Sequence, residues 1–252
     1  MTFYRRGRIV GSKTTTEGPI DDCIIGRPTP RKAQLVAPVW HTLVFLAVFA
    51  ALATLGWLAS ARTHATNQVS PRLAPLQVQA IIFEWITLGW AWFGAWRKKV
   101  RFRDLIGGRW PNAKAILLDF ALGAGLWVLW ISISRIGSMI FGRAAASVPY
   151  PSNLVEGVLA VAVAVSAGFC EEVVFRGYFQ KQFWALSGSS IAAIVLQAAV
   201  FGIPHVYQGV RLATEATGYG LLFGALAHWR ASLRPGILAH AWSDIAARLL
   251  RI

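Results

Sequence analysis

Residues 154–177 read LVEGVLAVAVAVSAGFCEEVVFRG, an apolar run from Leu154 to Cys170 that closes on two adjacent glutamates and an arginine. Continued as a helix toward Phe183, the segment is long enough to cross the ~30 Å hydrocarbon layer of a bilayer. A charged side chain near the bilayer centre costs roughly 2.5–3.5 kcal/mol even on a lenient insertion scale. Glu171, Glu172 and Arg176 therefore persist only if they pair, face a polar cavity or do chemistry. Two later apolar segments carry polar pairs of their own: FGIPH, from Phe201 to His205, and HAWSD, from His240 to Asp244. Three spans thus bring ionisable or metal-capable side chains into the apolar layer.

The composition agrees with a membrane setting. Of 252 residues, 56% are hydrophobic and 12 are Trp, against about 45–50% apolar in soluble domains. Several indoles, such as Trp40, Trp57, Trp96 and Trp229, stand near the ends of apolar runs, where aromatic belts form. The net charge of +14 raises nucleic acid as a partner, but the basic residues cluster beside apolar spans and read as cytoplasmic loops instead. No nucleic-acid partner is expected. Cys23 and Cys170 are too few and too far apart in character for a disulfide framework, and Cys170 reads as a small buried thiol.

Seven spans are expected, near 38–60, 75–96, 115–134, 154–183, 190–205, 214–229 and 235–250. The fold class is an all-α polytopic membrane helix bundle. Residues 1–36 read as a flexible basic cytoplasmic tail with no signal peptide, 37–150 as accessory transmembrane helices, and 151–252 as a catalytic core. Basic residues concentrate in the tail and in the loop from Arg97 to Lys114. The positive-inside rule then puts the N-terminus in the cytoplasm of a multi-pass cell-membrane protein. The turn at 184–189 falls on the same side. Glu171 and His205 both lie about 20 Å from that turn at ~1.5 Å per residue, so they should meet at similar depth.

Adjacent helical residues point about 100° apart, so Glu171 and Glu172 cannot share one environment. Glu172 stands four residues before Arg176, the favourable order for an ion pair. The pairing frees Glu171 to face the cavity as a general base. Pro204 is expected to kink or end its helix and present His205, with Phe201 packed beside the ring. His240 and Asp244 share one helix face, a spacing that suits metal binding, oxyanion contacts or mutual pairing. Asp119 reads as interfacial, Glu84 and His41 have no partner pattern, and Gly220 with Gly224 forms a GxxxG of the close-packing kind.

With these residues in hand, the chain resembles the CPBP family of intramembrane proteases, named for CAAX proteases and bacteriocin-processing enzymes. The family patterns EExxxR, FxxxH and HxxxN/D correspond here to Glu171, Glu172 and Arg176, to Phe201 and His205, and to His240 and Asp244. The resemblance covers about 154–250. It implies an α-helical core that hydrolyses a peptide bond in a membrane-associated protein or peptide. On that reading Glu171 and His205 activate water, His240 stabilises the oxyanion, and Asp244 orients His240 or the water. Glu172 and Arg176 hold the helix. The family is often labelled a metalloprotease, so a Zn²⁺ ion on Glu171, His205 and His240 competes with a metal-free glutamate mechanism, which is preferred. A non-catalytic immunity or scaffold protein that binds a peptide in the same cavity is the alternative, and a small transporter or proton relay is a third reading.

Overall fold

The computed structural model describes residues 34–66, 72–142 and 150–250. Residues 1–33 of the expected tail, Cys23 among them, lie outside the described residues, as does Arg143. Lys32–Ile252 form one unit, and among its described residues every regular element is helical. In chain order these are α1 (Val39–Thr66), α2 (Leu73–Arg97), the short α3 (Phe102–Ile106), α4 (Ala113–Phe141) and α5 (Leu154–Glu171). A π-helical stretch, Glu172–Phe179, joins α5 to α6 (Gln180–Ser187) without a break. Then come α7 (Ser190–Gly202), a 3₁₀ turn (Ile203–Gln208), α8 (Val210–Arg230) and α9 (Arg234–Ile245), which ends in a π turn, Ala246–Leu250.

Four stretches are long and apolar enough to cross a membrane: Val39–Ala59, Ala113–Ile140, Leu154–Ser187 and Ser190–Gln208. Their surfaces expose Leu43, Leu55, Leu117, Met139, Leu154 and Ile191, the apolar coat that lipid contact requires. The chain is an all-α membrane helix bundle. Helices α2 and α8 are of spanning length at 25 and 21 residues, but they carry Glu84 and Arg211, Glu215 and Arg230. Helix α9 has only 12 residues before its π turn.

Small residues let the helices approach closely around the polar centre. A Cβ at Gly168 of α5 would lie 2.8 Å from the Ala241 backbone nitrogen of α9. At the α7–α8 crossing, a Cβ at Gly220 would lie 2.8 Å from Ala198 Cα. There the GxxxG pair also frees two carbonyls for amide donors: Gln197 Nε2 reaches Gly220 O at 2.7 Å and Gln180 Nε2 reaches Gly224 O at 2.9 Å. Helix α2 is tied to α5 by Gln77 Nε2 to Glu156 O at 3.0 Å and Trp85 Nε1 to Ser166 Oγ at 3.2 Å. On α1, His41 Nδ1 pairs with Tyr178 Oη at 2.7 Å, and Thr42 Oγ1 shares that hydroxyl at 2.9 Å. His41 is thus a fully buried structural group, stacked on Trp90.

Several boundaries differ from the sequence expectation. The helix through the EEVVFRG motif runs on to Ser187, so the turn shrinks to Gly188 and Ser189. Gly188 makes that possible with a left-handed φ of +71°, its N–H bonding Trp184 O at 2.9 Å. Ser189 then caps α7 through Ala192 N at 3.2 Å. Val36, placed at the end of the tail by sequence, and Ala37 beside it are buried, and the Gln182 side chain clasps their backbone: it accepts from both N–H groups at 2.9 and 3.1 Å and donates to Ala37 O at 3.0 Å. Helix α3 was not expected. Lys181 Nζ secures it through the carbonyls of Asp104 and Leu105, at 2.6 and 2.9 Å. On its exposed side the Arg101 guanidinium holds the Asp104 carboxyl below the usual carboxylate range. Asp119 is buried within the protein. It accepts from Trp110 Nε1 at 2.7 Å and ion-pairs with Arg230 at 2.8 Å.

Candidate active site

The two glutamates at the end of α5 part company at once. Glu172 is fully buried. Its Oε1 lies 3.1 Å from Arg176 Nη1 and 3.0 Å from His240 Nδ1. Arg176 is buried too, and none of its guanidinium nitrogens makes a hydrogen bond. It is held instead by the Glu172 charge and by ring faces, with its guanidinium carbon 4.7 Å from the centre of Phe201 and 5.7 Å from those of Tyr219 and Phe223. Each such contact is worth about 0.5–2 kcal/mol, most when desolvated. The three motifs therefore interlock: the arginine of the first lies on the phenylalanine of the second, and the glutamate of the first receives the histidine of the third. The π-helical backbone contributes to this placement. Gln180 N–H bonds the carbonyl of Phe175, five residues back, and such widened turns recur at functional sites.

Glu171 points the other way, into a cavity of about 270 Å³ that it lines with Phe201, Pro204 and His205. Helix α7 ends at Gly202, and the chain passes through Pro204 as a 3₁₀ turn. The Phe201 carbonyl is thereby turned toward the His205 ring, 2.9 Å from Nδ1. A carbonyl only accepts, so Nδ1 carries the hydrogen and Nε2 of the neutral ring keeps a lone pair. The backbone thus sets His205 as an acceptor beside Glu171.

Of the third motif, His240 lies beside the lining residue Glu171. His240 Nε2 lies 3.7 Å from Glu171 Oε2, beyond hydrogen-bond range, and the ring stands edge-on to Tyr219 at 4.9 Å. His240 is oriented by Glu172 on its Nδ1 side, whereas Asp244 accepts from Arg248 at 3.3 Å. Neither His240 nor Asp244 lines the cavity. Among the lining residues that sequence did not assign to the site, the one carboxyl group is that of Glu84 of α2, which lies with Ala80, Phe83 and Thr87 along one helix face on the cavity wall. Its only signal was an acid in the middle of an apolar helix.

A zinc ion on Glu171, His205 and His240 would need three donors to converge. Among the described residues no three His, Cys, Asp or Glu side chains are arranged to hold a metal. His240 Nδ1 is committed to Glu172, which leaves Nε2 as its one free ring nitrogen.

Residues 153–246 match the family model described as Type II CAAX prenyl endopeptidase Rce1-like. No curated protein and no solved structure matches the chain. The matched stretch contains all three motifs, and α5, α7 and α9 bring them into one interlocked cluster. The segment 153–246 accordingly belongs to the CAAX protease family that those motifs resemble.

Proposed function

We propose that the protein is an intramembrane endopeptidase that hydrolyses a peptide bond in a membrane-associated protein or peptide by a metal-free mechanism. The observation that carries this reading is the split between the two glutamates. Glu172 is locked into a buried ion-pair cluster, while Glu171 and the acceptor nitrogen of His205, from separate helices, face one cavity. A water held between them loses a proton to Glu171 as its oxygen attacks the scissile carbonyl. His205 accepts the water's other hydrogen as a hydrogen bond and fixes its direction.

The developing oxyanion needs a donor. His240 supplies one through Nε2 only when both ring nitrogens carry protons, a form flanked by Glu172 on one side and Glu171 on the other. Asp244, one turn further along α9, adds a positioning charge held in place by Arg248. An apolar cavity of about 260 Å³ lies alongside and shares Phe49, Phe83 and Thr87 with the site. It favours a substrate with an apolar chain. On this reading residues 151–252 form the catalytic core of a cell-membrane protein whose N-terminus is cytoplasmic.

The test is cleavage of a peptide library by the detergent-purified protein beside Glu171→Gln and His205→Ala. Products from the wild type alone are expected, and their sequences define the substrate class. Equal cleavage by all three would refute the site. A biological effect retained in Glu171→Gln would favour the peptide-binding alternative.

A further inference from the structure

Glu84 comes from α2, outside the matched residues 153–246, so none of the three motifs assigns it a role. Three observations converge on it. It lines the cavity that holds Glu171 and His205. Its carboxyl group and that of Glu171 interact electrostatically across the cavity they both line. The helix that carries it is tied to α5 by the Gln77 and Trp85 hydrogen bonds, the second from the residue next to Glu84. The approach of the two glutamates is thus built into the bundle rather than left to a mobile side chain.

Two ionised carboxylates are both acceptors and cannot hydrogen-bond to one another; a carboxyl pair bonds only when one member carries a proton. Around the pair stand Asp244 and Arg248 from the last helix, with His240 beside Glu171. His205 completes the ring of titratable groups across the cavity.

Resting on the hydrolase reading above, we propose that Glu84 is a further catalytic residue: it shares one proton with Glu171 and delivers it to the leaving nitrogen. The protons balance. In the form of the pair that reacts, the one proton stands on Glu84 and leaves Glu171 free to act as the base. Attack forms the C–O bond and moves a proton from water to the free Glu171 oxygen. As the C–N bond breaks, its electron pair goes to nitrogen, which takes the Glu84 proton. The products are an amine and a carboxylic acid. The proton left on Glu171 restores the shared state.

The role separates from a structural one because a leaving thiolate, unlike a leaving amine, needs no proton. The experiment pairs a peptide taken from the library cleavage with its thioester analogue at the scissile bond. Both are assayed with wild type and Glu84→Gln. Glu84→Gln should lose about 10²-fold in kcat on the amide while thioester cleavage stays within about threefold of wild type. An equal fall on both substrates would overturn the proposal. If Glu84→Gln lowers the melting temperature, Glu84→Asp decides, because it keeps an acid: amide cleavage must survive there and fail in the amide variant.

A second readout does not depend on hydrolysis. The infrared carbonyl stretch of a protonated carboxyl group should be present in wild type and lost in Glu84→Gln. A band unchanged by Glu84→Gln would refute the shared proton even in an active enzyme. The same band lost in a protein that cleaves neither substrate would support the proton pair and reject the hydrolase reading.

Discussion

Glu171 and Glu172 are neighbours in the chain and opposites in the structure. Glu172 sits in a closed cluster where every polar contact is internal: Arg176 and His240 on one oxygen, ring faces around the guanidinium, and Gly236 so near the other oxygen that a Cβ there would lie 3.0 Å from it. Glu171 sits in an open cavity with His205 and Glu84. The cluster has the chemistry of a structural lock and the cavity that of a reaction site. One peptide bond separates them, because successive positions on a helix look in different directions. A doubled acidic residue here is one residue for architecture and one for chemistry.

This contrast can be broken from either side. The largest effect is expected on activity: Glu171→Gln should lower kcat by about 10²–10⁴-fold and leave the melting temperature in detergent nearly unchanged. Arg176→Met should do the reverse. Removing one partner of a buried ion pair leaves an uncompensated charge and costs about 3–5 kcal/mol, read as a lower midpoint in thermal or denaturant unfolding. The double variant Glu172→Leu/Arg176→Met should recover part of that loss. No recovery would mean that His240 and the ring contacts, not the pair, dominate the cluster.

Two smaller effects sharpen the comparison. Gly168→Ala pushes a methyl onto the α9 backbone at the crossing that brings His240 to Glu172. Overpacking of this kind costs about 1–3 kcal/mol, and here activity should fall with stability because cluster and cavity share that crossing. Asn153→Ala removes the side-chain acceptor for Glu156 N–H at the start of α5. It should cost about 1 kcal/mol with kcat unchanged, since this cap lies at the far end of α5 from Glu171.

Much of this was legible in the sequence, for reasons that name the limits as well. Apolar length marked the helices, and the order Glu172 then Arg176 on one helix gave the ion pair, because both signals are local. The kink at Pro204 was readable because a missing N–H is a property of one residue. Whatever depends on a distant partner was not readable. Glu172 was expected to bond Arg176, but His240, 68 positions away, is invisible to spacing rules. Glu84 carried no pattern, since its partner Glu171 lies on another helix. The Trp110 and Arg230 partners of Asp119 were hidden because the fold brings them to it. The π-helical stretch has no local code here either; its contacts, such as Tyr178 to His41 and Glu172 to His240, and the neighbouring Gln182 clasp on Val36, come from distant parts of the chain.

That last feature has a consequence in time. Val36 and Gln182 are 146 positions apart, and His41 and Tyr178 are 137 apart. At a synthesis rate of ~5–20 residues per second, α1 is made about 7–30 s before the residues that satisfy His41, Thr42 and the backbone at 36–37 exist. Through that interval Thr42 and His41 Nδ1 have no native partner, although Trp90, whose carbonyl lies 3.0 Å from His41 Nε2, is made sooner. Water or the insertion machinery must serve them, and the Gln182 clasp can close only once the chain has grown through α6.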